Sequence, residues 1–516
     1  MLDHLTTPAS LEAARQQIAA LFRAHAEWFC TAGHGETYAL RRDELEIALA
    51  HERLMLSCWT EKGSRSWRIL GWQWNGQMLL LQASRRMGAE LPLIELIPRA
   101  SASAVAATIR AARQIRCEKL AQLACSAQLE TRIERCVLSP GTRPGQPGRY
   151  ARVLLRRKQI RIAVTGPVVA GHPASVDAFL SSALLWFKRT SDRLKPPYIE
   201  HLWLVVSAEL LKPLLYRVAL LRDGLRTMIH VFVVDDDLTT LTSAAVLERQ
   251  DLWKKKLAHF PPVAAATISP QTAAIIATAP DAIDVVHARH GETLRYFGLP
   301  FARVRSLLGT EKVWFGLDRA RRRLLDESTQ REWENLLCDL REHRSPFATD
   351  HRHAFYRSAP EAWLESLLRR DITTLDPGLI IAPLHAQFRT ARGGKLGIRP
   401  IDLLALRQDG RLVVIELKVS ENREHVLQGA DYWRRVEAHR RRGHIAAAKL
   451  FGHLRINDEP PLVYLVAPTL RVHPSFHALA RCIAGDIEIY RFDINEDWRS
   501  GVRVMRRMRV NGSESV

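Results

Sequence analysis

Near the start of the chain, apolar residues recur at helical spacing (Leu11, Ile18, Leu21, Phe22), and strand-like runs follow at Leu54–Trp59, Trp67–Trp74 and Met78–Gln82. Turns at Lys62-Gly63-Ser64 and Asn75-Gly76 separate these runs, and an Asn-Gly between two strand-like runs is a hairpin signal. The pattern predicts an α+β module, followed by an Ala- and Arg-rich helix over Ala104–Gln128. Pro and Gly then concentrate over residues 140–148, which sets a boundary.

Beyond it, strand-like Arg161–Val164, His201–Val206 and Ile229–Val234 alternate with helical Val176–Lys188, Ala208–Leu221 and Ala244–Phe260. Such alternation predicts an α/β layer with some parallel pairing. After Pro262 the pattern is less regular, with a helix around Asp326–Glu342 and a polar stretch rich in Arg and His before Ala359. The expected organisation is an α+β module at 1–139, an α/β module at 149–262, a connecting α/β region at 263–352 and a last α/β domain at 353–516.

Composition narrows the function classes. No window holds the ~18 uninterrupted apolar residues of a membrane span. The stretch Val263–Val286 is broken by Pro270, Gln271, Pro280 and Asp281, and Met1–Ala14 lacks the basic and apolar regions of a signal peptide. The expectation is a cytoplasmic protein without a membrane partner. The seven cysteines have no CxxC pair or zinc-ligand spacing and read as reduced thiols. A net charge of +20 with a pI near 10.1 attracts polyanions, nucleic acid above all.

The residues that carry chemistry lie near the C-terminus. Arg399-Pro400-Ile401-Asp402-Leu403-Leu404-Ala405-Leu406 reads as a buried strand, Gln408-Asp409-Gly410 as a tight turn, and Arg411–Lys418 as a second strand. A three-residue loop with Gly410 left-handed pairs Asp402 with Glu416, their Cβ atoms ~5 Å apart. Period-two alternation puts Lys418 on the face of Glu416. Ile401, Leu403, Leu404, Val413, Val414, Ile415 and Leu417 surround these groups, so desolvation drives the two acids towards neutrality unless a cation compensates. Mg²⁺ or Mn²⁺ would do so through hard oxygen ligands, with the Leu417 carbonyl as a further donor.

Pro400-Ile401-Asp402 followed by Glu416-Leu417-Lys418 resembles the PD-(D/E)XK nuclease superfamily, which includes restriction enzymes and Holliday-junction resolvases. Two flanking features extend the resemblance over about 80 residues. Glu424–His439 is a helix with Gln428 and Tyr432 four residues apart, similar to the Gln-x-x-x-Tyr helix of the family. Pro360–Arg370 carries Glu361 and Glu365, similar to the leading helix whose acid completes the metal site, with Glu365 favoured. Here Pro and Asp are separated by Ile401, a looseness that leaves the acid in place.

The resemblance implies a restriction-endonuclease-like αβββαβ core with a mixed sheet, and metal-dependent hydrolysis of phosphodiester bonds in DNA or RNA. Asp402, Glu416 and Glu365 would hold the metal. Lys418 would position or activate water, and Gln428 and Tyr432 would support the nucleophile or the substrate backbone. Arg399 and the run Arg434, Arg435, Arg440, Arg441 and Arg442 are expected to contact phosphate. The competing reading is a nuclease-like fold that binds nucleic acid without cutting it.

Other features are read as structural. Gly166–Gly171 has P-loop spacing, but His172-Pro173 stands where Lys-Ser/Thr is required. His351-Arg352-His353 lacks metal-site partners, and Trp433 reads as core.

Overall fold

The computed structural model describes residues 3–4, 7–32, 36–50, 52–60, 63–84, 92–98, 102–141, 147–169, 175–254, 257–260, 268–288, 291–307, 310–317, 322–390 and 400–512. They form a multidomain mixed α/β protein with four sheets. No helix among them is long and apolar enough to cross a membrane.

The first sheet is an antiparallel layer over which the helix Pro8–Ala24 packs Ala14, Ile18 and Phe22. Alternate residues of Leu79–Ser84 face this core, the period expected of a sheet with one buried side. At Asn75-Gly76 the Asn75 side chain accepts the Gln77 and Met78 amides, which closes the hairpin between Gly63–Trp74 and Leu79–Ser84.

The second sheet has six strands, and its centre, Ile160–Pro167, Ile199–Val206 and Ile229–Val234, is parallel. Helices α1 (Val176–Ser191) and α2 (Ala208–Val218) cover one face, and the helix Ala102–Ser126 covers the other. Two expectations change here. Thr131–Pro140 pairs antiparallel with Pro147–Arg157, so the Pro/Gly stretch joins two strands of one sheet and does not divide modules. The residues expected as the helix Ala244–Phe260 include the end of an edge strand, Leu241–Ala244, and a 3₁₀ turn, Arg249–Trp253. Pairing with Ile229–Val234 and burial of Leu252 outweigh local helix propensity.

The third sheet is an antiparallel meander from Ile283 to Leu324 with the helix Gln330–His343 against it. The fourth sheet follows helix α3 (Pro360–Arg370). Its strands run in spatial order β1 (His385–Phe388), β2 (Ile401–Leu406), β3 (Leu412–Leu417), β4 (Leu462–Pro468), β5 (Ile489–Ile494) and β6 (Val504–Arg509). The strands β1, β2 and β3 are antiparallel neighbours. Helix α4 (His425–Arg440) then carries the chain over to β4, which is parallel to β3. A Cβ on Gly429 would stand 2.6 Å from Leu465 Cδ2, so the absence of a side chain lets α4 lie close on β4.

This last sheet is buried from both sides by other parts of the chain. Leu403, Ala405, Val413, Ile415 and Leu417 share a core with Trp363, Leu364 and Leu368 of α3 and with Leu294 and Phe301 of the third sheet. Val426, Leu427, Ala430 and Trp433 of α4 share a core with Phe179, Leu180 and Leu214 of α1 and α2. The third and fourth sheets thus pack as one body, and the second sheet reaches them through its helices.

Candidate active site

The β2–β3 hairpin places the candidate residues. Gly410 has φ +82° and its amide bonds to Arg407 O, while Asp409 Oδ1 accepts the Arg411 amide, which makes a three-residue loop. The ladder pairs Leu406 with Leu412 and Leu403 with Ile415. One step further, Asp402 comes opposite Glu416.

At this end of the hairpin, Asp402 Oδ2 accepts the Leu417 amide at 2.9 Å, and the Asp402 carboxyl lies near enough to Glu416 for its charge to act there. Lys418 Nζ donates to Glu416 Oε1 at 2.6 Å and to the Leu417 carbonyl at 3.0 Å, and lies 3.9 Å from Glu361. Glu416 and Glu365 are each 2% exposed. Burial, then the neighbouring Asp402 charge, push the Glu416 carboxyl well above the ordinary range. Lys418 keeps its proton: burial opposes the charge, but Glu416, Glu361 and Asp402 more than compensate. His425 donates from Nε2 to the Glu416 carbonyl at 3.1 Å, and burial followed by the Lys418 charge pushes its imidazole down to about 3.

Glu365 enters the same pocket from α3. Its oxygens are engaged by Arg295 of the third sheet at 3.0 Å and by Gln387 of β1 at 2.6 Å, and Gln387 Nε2 also reaches Asp402 Oδ1 at 3.5 Å. Burial raises the Glu365 carboxyl, and Arg295 and Gln387 oppose that rise. Gln387 has φ +49°, a conformation costing ~1–3 kcal/mol in a non-glycine residue. Sequence reasoning missed both Arg295 and Gln387. Neither belongs to a motif, and a left-handed glutamine carries no compositional signal.

Among the described residues no three or more His, Cys, Asp or Glu side chains are gathered where they would hold an ion. The donor chemistry still suits a hard cation, with two neighbouring carboxyls, a third joined to Asp402 through Gln387 and the Leu417 carbonyl beside them. In this arrangement Lys418 and Arg295 occupy the oxygens a metal would take.

The remaining candidates separate. Gln428 is buried on α4. Tyr432 packs in the apolar cluster of Leu404, Leu406, Leu412 and Val414, with the Arg435 guanidinium 4.4 Å from its ring centre, so it is a core residue of the sheet–helix interface. Trp433 is core as well. Arg399 lies outside the described residues.

The run from Arg434 to Arg442 is a correction. Asp431, buried on α4, is 2.6 Å from Arg434, 3.3 Å from Arg435 and 3.0 Å from Arg217 of α2. Glu437 pairs with Arg440 and Arg441, and Arg442 donates to the Ala438 and Trp253 carbonyls. Arg434, Arg435 and Arg440 are drawn onto buried acids and Arg442 onto carbonyls, which leaves Arg441 as the exposed member of the run, so the five do not form an open phosphate track. His353 and His351 stack on His343 and Tyr356 respectively.

No known protein family, curated protein or solved structure matches the chain.

Proposed function

We propose that the chain is a divalent-metal-dependent nuclease whose reactive centre is the open end of the β2–β3 hairpin, and that α3–β1–β2–β3–α4–β4 is its restriction-endonuclease-like core. One observation carries the reading: Asp402, Glu416 and Lys418 meet at a buried hairpin end where the acids outnumber the cation and burial drives Glu416 towards its neutral form.

Asp402, Glu416 and the Leu417 carbonyl would hold Mg²⁺ or Mn²⁺, with Glu365 joining if it leaves Arg295. The ion would supply Lewis acidity at the scissile phosphate. Lys418, held protonated, acts as a hydrogen-bond donor to the attacking water or a phosphate oxygen and offsets the charge that develops there. Gln387 positions Asp402 and Glu365 relative to each other. Water adds across one P–O bond, its hydroxyl to phosphorus and its proton to the leaving oxygen.

The engaged state of the acid oxygens favours a second reading, in which the site binds nucleic acid without cutting it. Incubating the full chain with linear, branched and single-stranded DNA, and with RNA, in Mg²⁺ or Mn²⁺ separates the two. Cleavage that EDTA and Asp402→Ala both abolish supports the nuclease. Binding without products, indifferent to EDTA and to Glu416→Gln, supports the alternative.

A further inference from the structure

Most of the basic run nearest the candidate site is engaged in internal pairing, so a polyanion needs further cations. Such cations occur along α1, where the second sheet meets the loop after β3. Ser181 of α1 donates to the Arg423 carbonyl at 3.4 Å, which holds that loop against the helix. Further along α1, Trp186 lies beneath the Arg152 guanidinium, 5.9 Å from its ring centre, and Arg189 follows one turn later. Arg135 pairs in the ladder with Leu154, two residues from Arg152 and on the same side of the sheet.

Arg135, Arg189 and Arg423 are exposed and Arg152 is half-buried. Among the described residues, none of the four has a carboxylate within ion-pair distance. Nearby acids are turned elsewhere: Glu134 pairs with Arg161, and Glu424 accepts from Ser175. Glu421 is exposed beside His473, and Asp192 at the end of α1 lies 3.7 Å from Lys188. Burial, then the charges of Arg189, Arg423 and Arg135, push the Arg152 guanidinium down to about 10, which places the four within mutual electrostatic reach. Like charges held together without counter-charge raise the free energy of the unliganded protein, and a phosphate backbone relieves it.

We propose that Arg152, Arg189 and Arg423, with Arg135 beside them, form a phosphate-backbone track on which the second α/β unit delivers DNA to the Lys418 site. The inference rests on the nuclease reading for what happens at the end of the track and gives the second sheet and its helices a role in substrate binding. The loop from Lys418 to Arg423 spans at most ~17 Å, two to three backbone phosphates of one strand.

The test is binding of a fluorescein-labelled 20-base-pair DNA duplex to the full chain in EDTA, followed by anisotropy across a salt series. Replacing Arg152, Arg189 and Arg423 together by Ala is expected to lower the slope of log K against log salt by roughly 2 to 3, at about 0.9 per lost phosphate contact. The corresponding triple Lys variant should restore most of the slope, which a packing role would not do, and Arg15→Ala should leave it unchanged. An unaltered slope in the triple Ala variant overturns the track, and if the unsubstituted chain still cuts in Mg²⁺ the nuclease reading survives. A reduced slope with no cleavage in Mg²⁺ or Mn²⁺ supports the track and overturns the catalytic reading.

Discussion

Two buried charge clusters flank helix α4, and they are balanced in opposite ways. Around Asp431, three guanidiniums, from Arg217, Arg434 and Arg435, surround one carboxylate and hold it well below the ordinary aspartate range despite complete burial. Around Glu416, two acids and the more distant Glu361 share one ammonium, and the Glu416 carboxyl is driven upward. Burial is therefore not what marks a reactive centre. The sign of the residual charge is: the Asp431 cluster carries an excess of cations and ties α2 to α4, whereas the Glu416 cluster carries an excess of acids that an external cation relieves.

The largest expected effect that would break this contrast is catalytic. Glu416→Gln, Asp402→Ala and Lys418→Ala should each lower cleavage by roughly 10²–10³-fold or more, as measured by single-turnover gel assays on variants shown to be folded. If Asp431→Asn lowered cleavage as much while the protein stayed folded, the division between the clusters would be wrong.

Next in size is stability. Arg217→Ala leaves buried Asp177 without its guanidinium and Asp431 with one fewer, and should cost about 3–5 kcal/mol in urea denaturation, whereas Arg217→Met combined with Asp177→Asn should recover much of it. For the same reason a 355–516 fragment should fail to fold alone, since Val426, Leu427, Ala430 and Trp433 would lose α1 and α2 and Glu365 would lose Arg295. A soluble, cooperatively melting fragment would contradict that expectation.

Added Mg²⁺ or Mn²⁺ should stabilise the chain by about 2.7 kcal/mol at a hundredfold excess over Kd, and Glu416→Gln should abolish the increment. Calorimetry with and without the ion checks it.

The smallest effect is the pH dependence, and its sign differs between the clusters. Glu416 titrates higher in the folded chain, so its contribution is fully present below 4.5 and is lost as pH rises from there through the raised folded value. Asp431 has a depressed one, so its contribution is present above 3.8 and is lost as pH falls. Each slope is at most about 1.4 kcal/mol per pH unit. Melting across pH 3–8 should therefore flatten on the alkaline side in Glu416→Gln and on the acid side in Asp431→Asn.

Much of the candidate site could be read from residues close together along the chain. A three-residue loop ending in left-handed Gly410 sets the hairpin register, and the register brings Asp402 to Glu416 and Lys418. Alternation and helical spacing likewise placed α3, α4 and the central strands of the second sheet. Local rules served because each of these features is decided within one turn or one strand pair.

Other features required the assembled molecule. The basic run at Arg434–Arg442 looks like a phosphate track until Asp431 and Glu437 are seen to face it from within α4 and Arg217 to join them from α2. Arg295 and Gln387 reach Glu365 from another sheet and another strand, and the Pro/Gly stretch proved to be a link inside a sheet once Thr131–Pro140 paired with Pro147–Arg157. The sequence by itself determined which charges exist and where local geometry gathers them. Only the tertiary structure decided which were neutralised, because an ion pair's strength depends on a distance and a degree of burial that packing between remote segments sets.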